Sequence, residues 1–280
     1  MNNFFVNLPL RYIARKKRYL DLFIENRINP ELGLEAWSMD KLDLAWHKNV
    51  AEKIHRAGLK TAIHLPFLDL MPGSIDQYIL QATRKRLDKA LEIAKIYEPC
   101  HLIGHLAYDS GLDDDFYSFW LENSVQTWQQ MAEKTKNTCP IFLENVREQD
   151  PTIISDLLSG LNGQVGFCFD LGHWFSFGHG RENNNLGHWL QTLAPYIRHL
   201  HLHDNHGHFD EHLGMGQGKI PFVEFFAGLE SLELKPGFTL EPHSAEDLAY
   251  SLNFMHANRF WFSLLGVKKN SVRDLAFKLK

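Results

Sequence analysis

Nine side chains of metal-ligating types fall, group by group, at the close of successive apolar runs: His64, His105, Glu144, Asp170 with His173, His201, Asp210 with His212, and Glu241. Burying an imidazole or carboxylate without a partner costs several kcal/mol, and a shared metal centre would offset that cost. The donors are nitrogen and oxygen without thiolate. Such a set suits zinc or manganese and argues against an iron–sulfur or structural cysteine–zinc site. Nine ligands oversupply one ion. Two or three ions, about 3.5 to 4 Å apart, could share bridging carboxylates, generate hydroxide near neutral pH and stabilise both oxygens of an in-line phosphoryl displacement. The expected chemistry is therefore hydrolytic, with Glu144 and Glu241 as bridging and catalytic carboxylates.

Taken singly, a strand-end histidine is most often a hydrogen-bonded structural residue, and a strand-end glutamate is as often half of a salt bridge as a site residue; the weight lies in the pattern. Asp170-Leu171-Gly172-His173 is the sharpest segment, because its glycine turn brings two ligands to one spot. Along Arg198 to Asn205, alternation sends His199, His201 and His203 to the same face. His201 is the expected ligand there, since His199 lies deeper and His203 with Asp204 begins the loop. His206 and His208 read as exposed loop residues. Trp37, Phe67 and Trp174 sit near predicted strand ends, where they could stack on a sugar or base, with core packing as the ordinary alternative.

The elements that would position these groups alternate almost from end to end. Strands are expected at Phe4 to Leu8, Leu32 to Ala36, Thr61 to His64, His101 to His105, Ile141 to Glu144, Val165 to Asp170, Ile197 to His203 and Phe238 to Glu241. Helices are expected at Tyr12 to Glu25, Leu44 to Ala57, Ile75 to Tyr97, Asp115 to Lys136, Thr152 to Ser159, Leu186 to Ala194, Pro221 to Glu230 and Ala245 to Ala257, the last capped by Ser244. Eight of each predicts an α/β (β/α)8 TIM barrel, one domain over residues 1–280, with Phe260 to Lys280 as an extra C-terminal helix. Its active site would lie at the carboxyl ends of the strands, where the candidate ligands fall. A doubly wound sheet would carry a glycine-rich loop after its first strand, and Asn7 to Arg11 contains no glycine.

The 280-residue chain carries a formal charge of −5, which gives no electrostatic footprint for tight nonspecific binding to nucleic acid or anionic lipid. Cys100, Cys139 and Cys168 are odd in number and widely spaced, against a disulfide framework. No apolar run reaches a membrane span, and the N-terminus lacks the order of a signal peptide. A cytoplasmic protein is the expectation, its oligomeric state open.

From the second strand to the eighth, the motifs resemble, in order, those of the xylose isomerase-like TIM barrels, the AP endonuclease family 2. In the DNA-repair branch of that family the resemblance implies three zinc ions on His64, His105, Glu144, Asp170, His173, His201, Asp210, His212 and Glu241. In the sugar isomerase and epimerase branch it implies one divalent metal on Glu144, Asp170, His201 and Glu241, with the two glutamates moving protons and His173 touching substrate. Glu35 looks like the family's strand-two glutamate. The loop Trp37-Ser38-Met39-Asp40 lacks the arginine that the repair enzymes place there, so an AP-site endonuclease acting on nucleic acid is not favoured. The expectation is a multi-zinc phosphodiesterase acting on a small sugar- or phosphate-containing substrate. The alternative is a one-metal sugar or sugar-phosphate isomerase or epimerase, and a non-catalytic barrel that binds a metal or sugar is the third reading.

Overall fold

In the computed structural model, which describes residues 4–108, 111–268 and 275, eight strands follow one another in chain order around a closed barrel. They are β1 (Phe4–Pro9), β2 (Asn29–Gly33), β3 (Ala62–His64), β4 (Leu102–His105), β5 (Ile141–Glu144), β6 (Gly166–Asp170), β7 (Ile197–Leu202) and β8 (Gly237–Leu240). Helices stand between them, as a TIM barrel requires. Contacts divide the chain into two compact units. One holds residues 7–144 and 156–166, and the other 1–6, 145–155 and 167–280.

In the first unit β2, β3, β4 and β5 pair in parallel, with His105 opposite Glu144 in the register. The expected strand at Leu32 to Ala36 is displaced to Asn29–Gly33 because pairing of Glu31, Leu32 and Gly33 with Ala62, Ile63 and His64 outweighs the polar local pattern. Glu35 consequently leaves the strand and takes the N-cap position of a short helix, Ala36–Lys41, where it pairs with Arg11. The long helix expected at Tyr12 to Glu25 is two, Leu10–Arg15 and Arg18–Glu25. Lys16 between them is extended, within a like-charged run that a continuous helix would stack on itself. Asp43 caps Leu44–Arg56 and Asp76 caps Gln77–Ala94, each accepting from backbone N–H groups of the first turn. Trp128, buried on helix Asp114–Thr135, lies against Gly104, so the backbone just before His105 is packed without a side chain between.

In the second unit Phe4, Phe5 and Val6 of β1 pair in parallel with β8, β8 with β7, and β7 with β6, placing Asp170 opposite His201. Outside β7, which carries Arg198, His199 and His201, these strands are apolar nearly throughout, as strands covered on both faces are. Phe169 packs between Trp174, Trp189 and Phe225, while Phe238 stacks on Phe4 at 5.4 Å. Ser244 caps Ala245–Ala257 as expected. A short helix, Arg259–Leu264, follows, and the rest of the expected tail helix, apart from 265–268 and Leu275, lies outside the described residues. Among the described residues no helix is long and apolar enough to cross a membrane.

Candidate metal centre

Within the first unit, His64, His105 and Glu144 close three adjacent strands, and parallel pairing delivers their side chains to one rim. Glu144 is 1 % exposed, and its Oε2 stands 3.0 Å from His64 Nε2 and 3.3 Å from His105 Nε2. His64 Nδ1 lies 3.0 Å from the Leu65 carbonyl oxygen. A carbonyl can only accept, so Nδ1 carries the proton and the lone pair on Nε2 of the neutral ring faces a carboxylate. Two electron-rich atoms aimed at each other need a proton or a cation between them.

The second unit repeats the arrangement twice. His173 Nδ1 donates to the Asn145 carbonyl at 3.0 Å, and its Nε2 stands 3.3 Å from Asp210 Oδ2. His212 Nδ1 donates to the Glu241 carbonyl at 2.9 Å, and its Nε2 stands 2.9 Å from the same oxygen of Asp210. Metal-ligating histidines hold their second nitrogen in this way, which fixes the tautomer and aims the free lone pair. His173, Asp210 and His212 each offer a ligand atom within 4.8 Å of the others, as do His203, His212 and Glu241. Asp170 and His201 complete the cluster. His201 Nδ1 is 3.4 Å from Glu241 Oε1 and 3.8 Å from Asp170 Oδ2, separations too long for strong hydrogen bonds and suited to donors sharing an ion. The donor set in each unit therefore fits a divalent metal.

Without such an ion the charges settle on one another. Burial alone would push the Asp210 carboxyl up, but hydrogen bonds from His173 and His212 and the nearby imidazoles hold it far below the carboxylate range. Burial lowers the His212 imidazole, yet its hydrogen bond to Asp210 and the charge of Glu241 raise it to about 9. At neutral pH a proton then occupies the place where a cation would sit.

Several positioning devices carry no ligand signature. Asn145 clamps the backbone of Asp170, its Nδ2 donating to the Asp170 carbonyl at 3.0 Å and its Oδ1 accepting from the Asp170 N–H at 2.9 Å. Asp170 Oδ1 in turn accepts from the His173 N–H at 2.6 Å, which sets the two ligands' relative position. Asp204, buried after β7, accepts from the N–H groups of Asn205, Gly216, Gly218 and Ile220 and so ties down the loop that carries Asp210 and His212. His212 itself has φ +51°, left-handed backbone that a non-glycine residue holds only under constraint. His203, His212 and His243 form a stack with successive centroid distances of 4.0 Å. Reading donors at strand ends overlooks Asn145 and Asp204, because their work is done through backbone groups.

Of the remaining candidates, Phe67 lies face to face with His105 at 4.2 Å and is 46 % exposed, and Trp37 is 45 % exposed. Trp174 is 1 % exposed, packs against Phe169 and donates Nε1–H to Asn185. His199 is buried with its Nε2 2.8 Å from Thr239 Oγ1. His206 pairs with Glu211 in the loop, and His208 meets Arg181. A cavity of about 550 Å³ around Thr135 to Pro140 and Gln164 includes none of these groups.

The chain belongs to the xylose isomerase-like TIM barrel family, whose model matches residues 23–258. The Methanocaldococcus jannaschii protein MJ1311, described as uncharacterized, is 27 % identical over 212 residues, 73 % of this chain and 71 % of that protein. Among solved structures, a Thermus thermophilus protein, TTHB071, soaked with ZnCl2, superposes with a TM-score of 0.72 at 23 % identity, covering 94 % of this chain and 98 % of that one. A D-psicose 3-epimerase in the presence of D-fructose superposes with a TM-score of 0.71 at 14 % identity, covering 95 % and 100 %. Both are likenesses of fold.

Proposed function

We propose that the chain is a divalent-metal-dependent isomerase or epimerase of a small sugar or sugar phosphate, with zinc or manganese held by Asp170, His201 and Glu241. The observation that supports a metal there is the spacing of His201 Nδ1, 3.4 Å from Glu241 Oε1 and 3.8 Å from Asp170 Oδ2, too long for strong hydrogen bonds and suited to donors sharing an ion. The choice of reaction is supported by family membership and by the ketose epimerases among the fold's neighbours. Bound there, the ion would polarise a substrate carbonyl and acidify the adjacent C–H. Glu241 then serves as an acid–base group, exchanging a proton at the carbon beside the carbonyl. His173 hydrogen-bonds a substrate hydroxyl.

The test is incubation of zinc- or manganese-loaded protein in D2O with a panel of ketoses and ketose phosphates, reading deuterium entry at the carbon beside the carbonyl by NMR. Glu241→Gln is expected to lower the rate by roughly 10²- to 10⁴-fold. A second reading, a multi-metal phosphodiesterase, is favoured by the His173, Asp210 and His212 cluster, which a one-ion isomerase does not need. Cleavage of bis(p-nitrophenyl) phosphate with no deuterium entry into any sugar would decide for it and against the first.

A further inference from the structure

His203 is the donor that the nine-residue set leaves out. Its side chain is fully buried, and neither ring nitrogen makes a hydrogen bond among the described residues. Nε2 stands 3.3 Å from Asp170 Oδ1 and 3.6 Å from Asp210 Oδ1, and the latter oxygen is also buried without a hydrogen-bond partner among the described residues. An N–H···O bond would be about 2.7 to 3.2 Å long. Two donors about 2.1 Å from one tetrahedral ion stand roughly 3.4 Å apart, a spacing that the two observed distances bracket.

The backbone is built to admit this ring. A Cβ on Gly172 would sit 2.0 Å from His203 Cε1, so only glycine fits at that position, one residue before His173. On its other side the ring stacks on His212 at 4.0 Å with 14° between planes. The imidazole is thus held from two sides with its Nε2 turned toward carboxylates. A residue that merely filled space would be less costly as an apolar one, because a buried polar group left without a hydrogen bond costs about 1 to 3 kcal/mol.

We propose that His203 is a tenth metal ligand, its Nε2 shared with Asp170 and Asp210 on a cation in this unit. The inference rests on the reading of the site as a metal centre and is indifferent to which reaction the metal serves. It assigns the cluster a ligand beyond those the family resemblance supplies, and it makes Gly172 the residue that positions that ligand.

The experiment is titration of metal-free protein with Co2+ followed by visible absorption, and with Zn2+ followed by calorimetry, for the wild type, His203→Ala and Gly172→Ala. His203→Ala is expected to weaken one ion's binding roughly tenfold or more and to change the cobalt d–d spectrum, while other ions bind as before. Gly172→Ala alters no ligand but must displace the ring, and is expected to give the same spectral change. It carries the test if His203→Ala fails to fold. Both variants binding the same number of ions, with affinities within twofold and an unchanged cobalt spectrum, would overturn the proposal. Wild type binding no cobalt would defeat this inference and the metal reading together. Normal ion binding weakened by His203→Ala, with no turnover of any sugar, would defeat the proposed reaction and leave this inference standing.

Discussion

Asp204→Asn probes whether one buried carboxylate organises the ligand-bearing loop. Asp204 Oδ1 accepts from the N–H of Asn205 at 2.9 Å and of Ile220 at 3.1 Å, and Oδ2 from those of Gly216 at 2.9 Å and Gly218 at 2.8 Å. Its backbone pairs with Leu213, so the whole span from 205 to 220 closes on this residue. An asparagine keeps one oxygen. Whichever way its amide turns, two N–H donors then face an NH2 group, and each lost partner of a buried donor costs about 1 to 3 kcal/mol. The variant should lose about 2 to 6 kcal/mol, a fall in thermal midpoint of roughly 4 to 12 °C at about 2 °C per kcal/mol. Because the loop carries Asp210 and His212, ion binding at their cluster should weaken too. Differential scanning calorimetry, amide exchange at Gly216 and Gly218, and elemental analysis read the three effects. A variant matching wild type in midpoint, in exchange at those amides and in metal content would refute the reasoning, since no rearrangement of an asparagine can satisfy all four donors.

Gly104→Ala would place a Cβ 2.4 Å from the outer ring of Trp128, and the neighbouring cavity, about 10 Å³, has room for one water at most. It should cost about 1 to 3 kcal/mol, seen as a lower denaturant midpoint at unchanged slope. His47, buried against the Tyr97 hydroxyl at 2.7 Å, has its imidazole pushed down by burial, with the Ser38 backbone and Asp43 pulling back less. Its folded pKa lies below the unfolded value near 6.5, so its contribution is complete above that pH and fades as pH falls through it. The stability difference between wild type and His47→Gln should therefore shrink between pH 7.5 and 5.5; a constant difference would count against a neutral buried ring. Metal removal should destabilise the fold reversibly by about 2.7 kcal/mol, if free ion had stood at 100 times its Kd, and so lower the unfolding midpoint. An unchanged midpoint in protein proved metal-free would argue that no ion stabilises the fold.

What could be read from the residues, and what could not, divides along a physical line. Strands β3 to β6 end on His64, His105, Glu144 and Asp170 because a parallel strand covered on both faces must be apolar until its rim, so its first polar residue marks both its end and the mouth of the barrel. That coincidence made fold and donor positions legible together. It failed at β2, where Asn29, Pro30 and Glu31 lie inside the strand: pairing to β3 sets the register there, and a partner strand is invisible to a local pattern. It failed again for His203. Alternation places that ring on the same face as His201, but its depth depends on Gly172, distant in the chain and in the short helix after β6, yielding the space for an imidazole. Asp204 and Asn145 escaped for a further reason. Their partners are backbone N–H and carbonyl groups, which nearly every residue has, so no spacing of residue types announces them. Donor identity is written in side chains one at a time; donor geometry is a property of pairs and of glycines, and it is the geometry that turns a set of histidines into a site able to hold an ion.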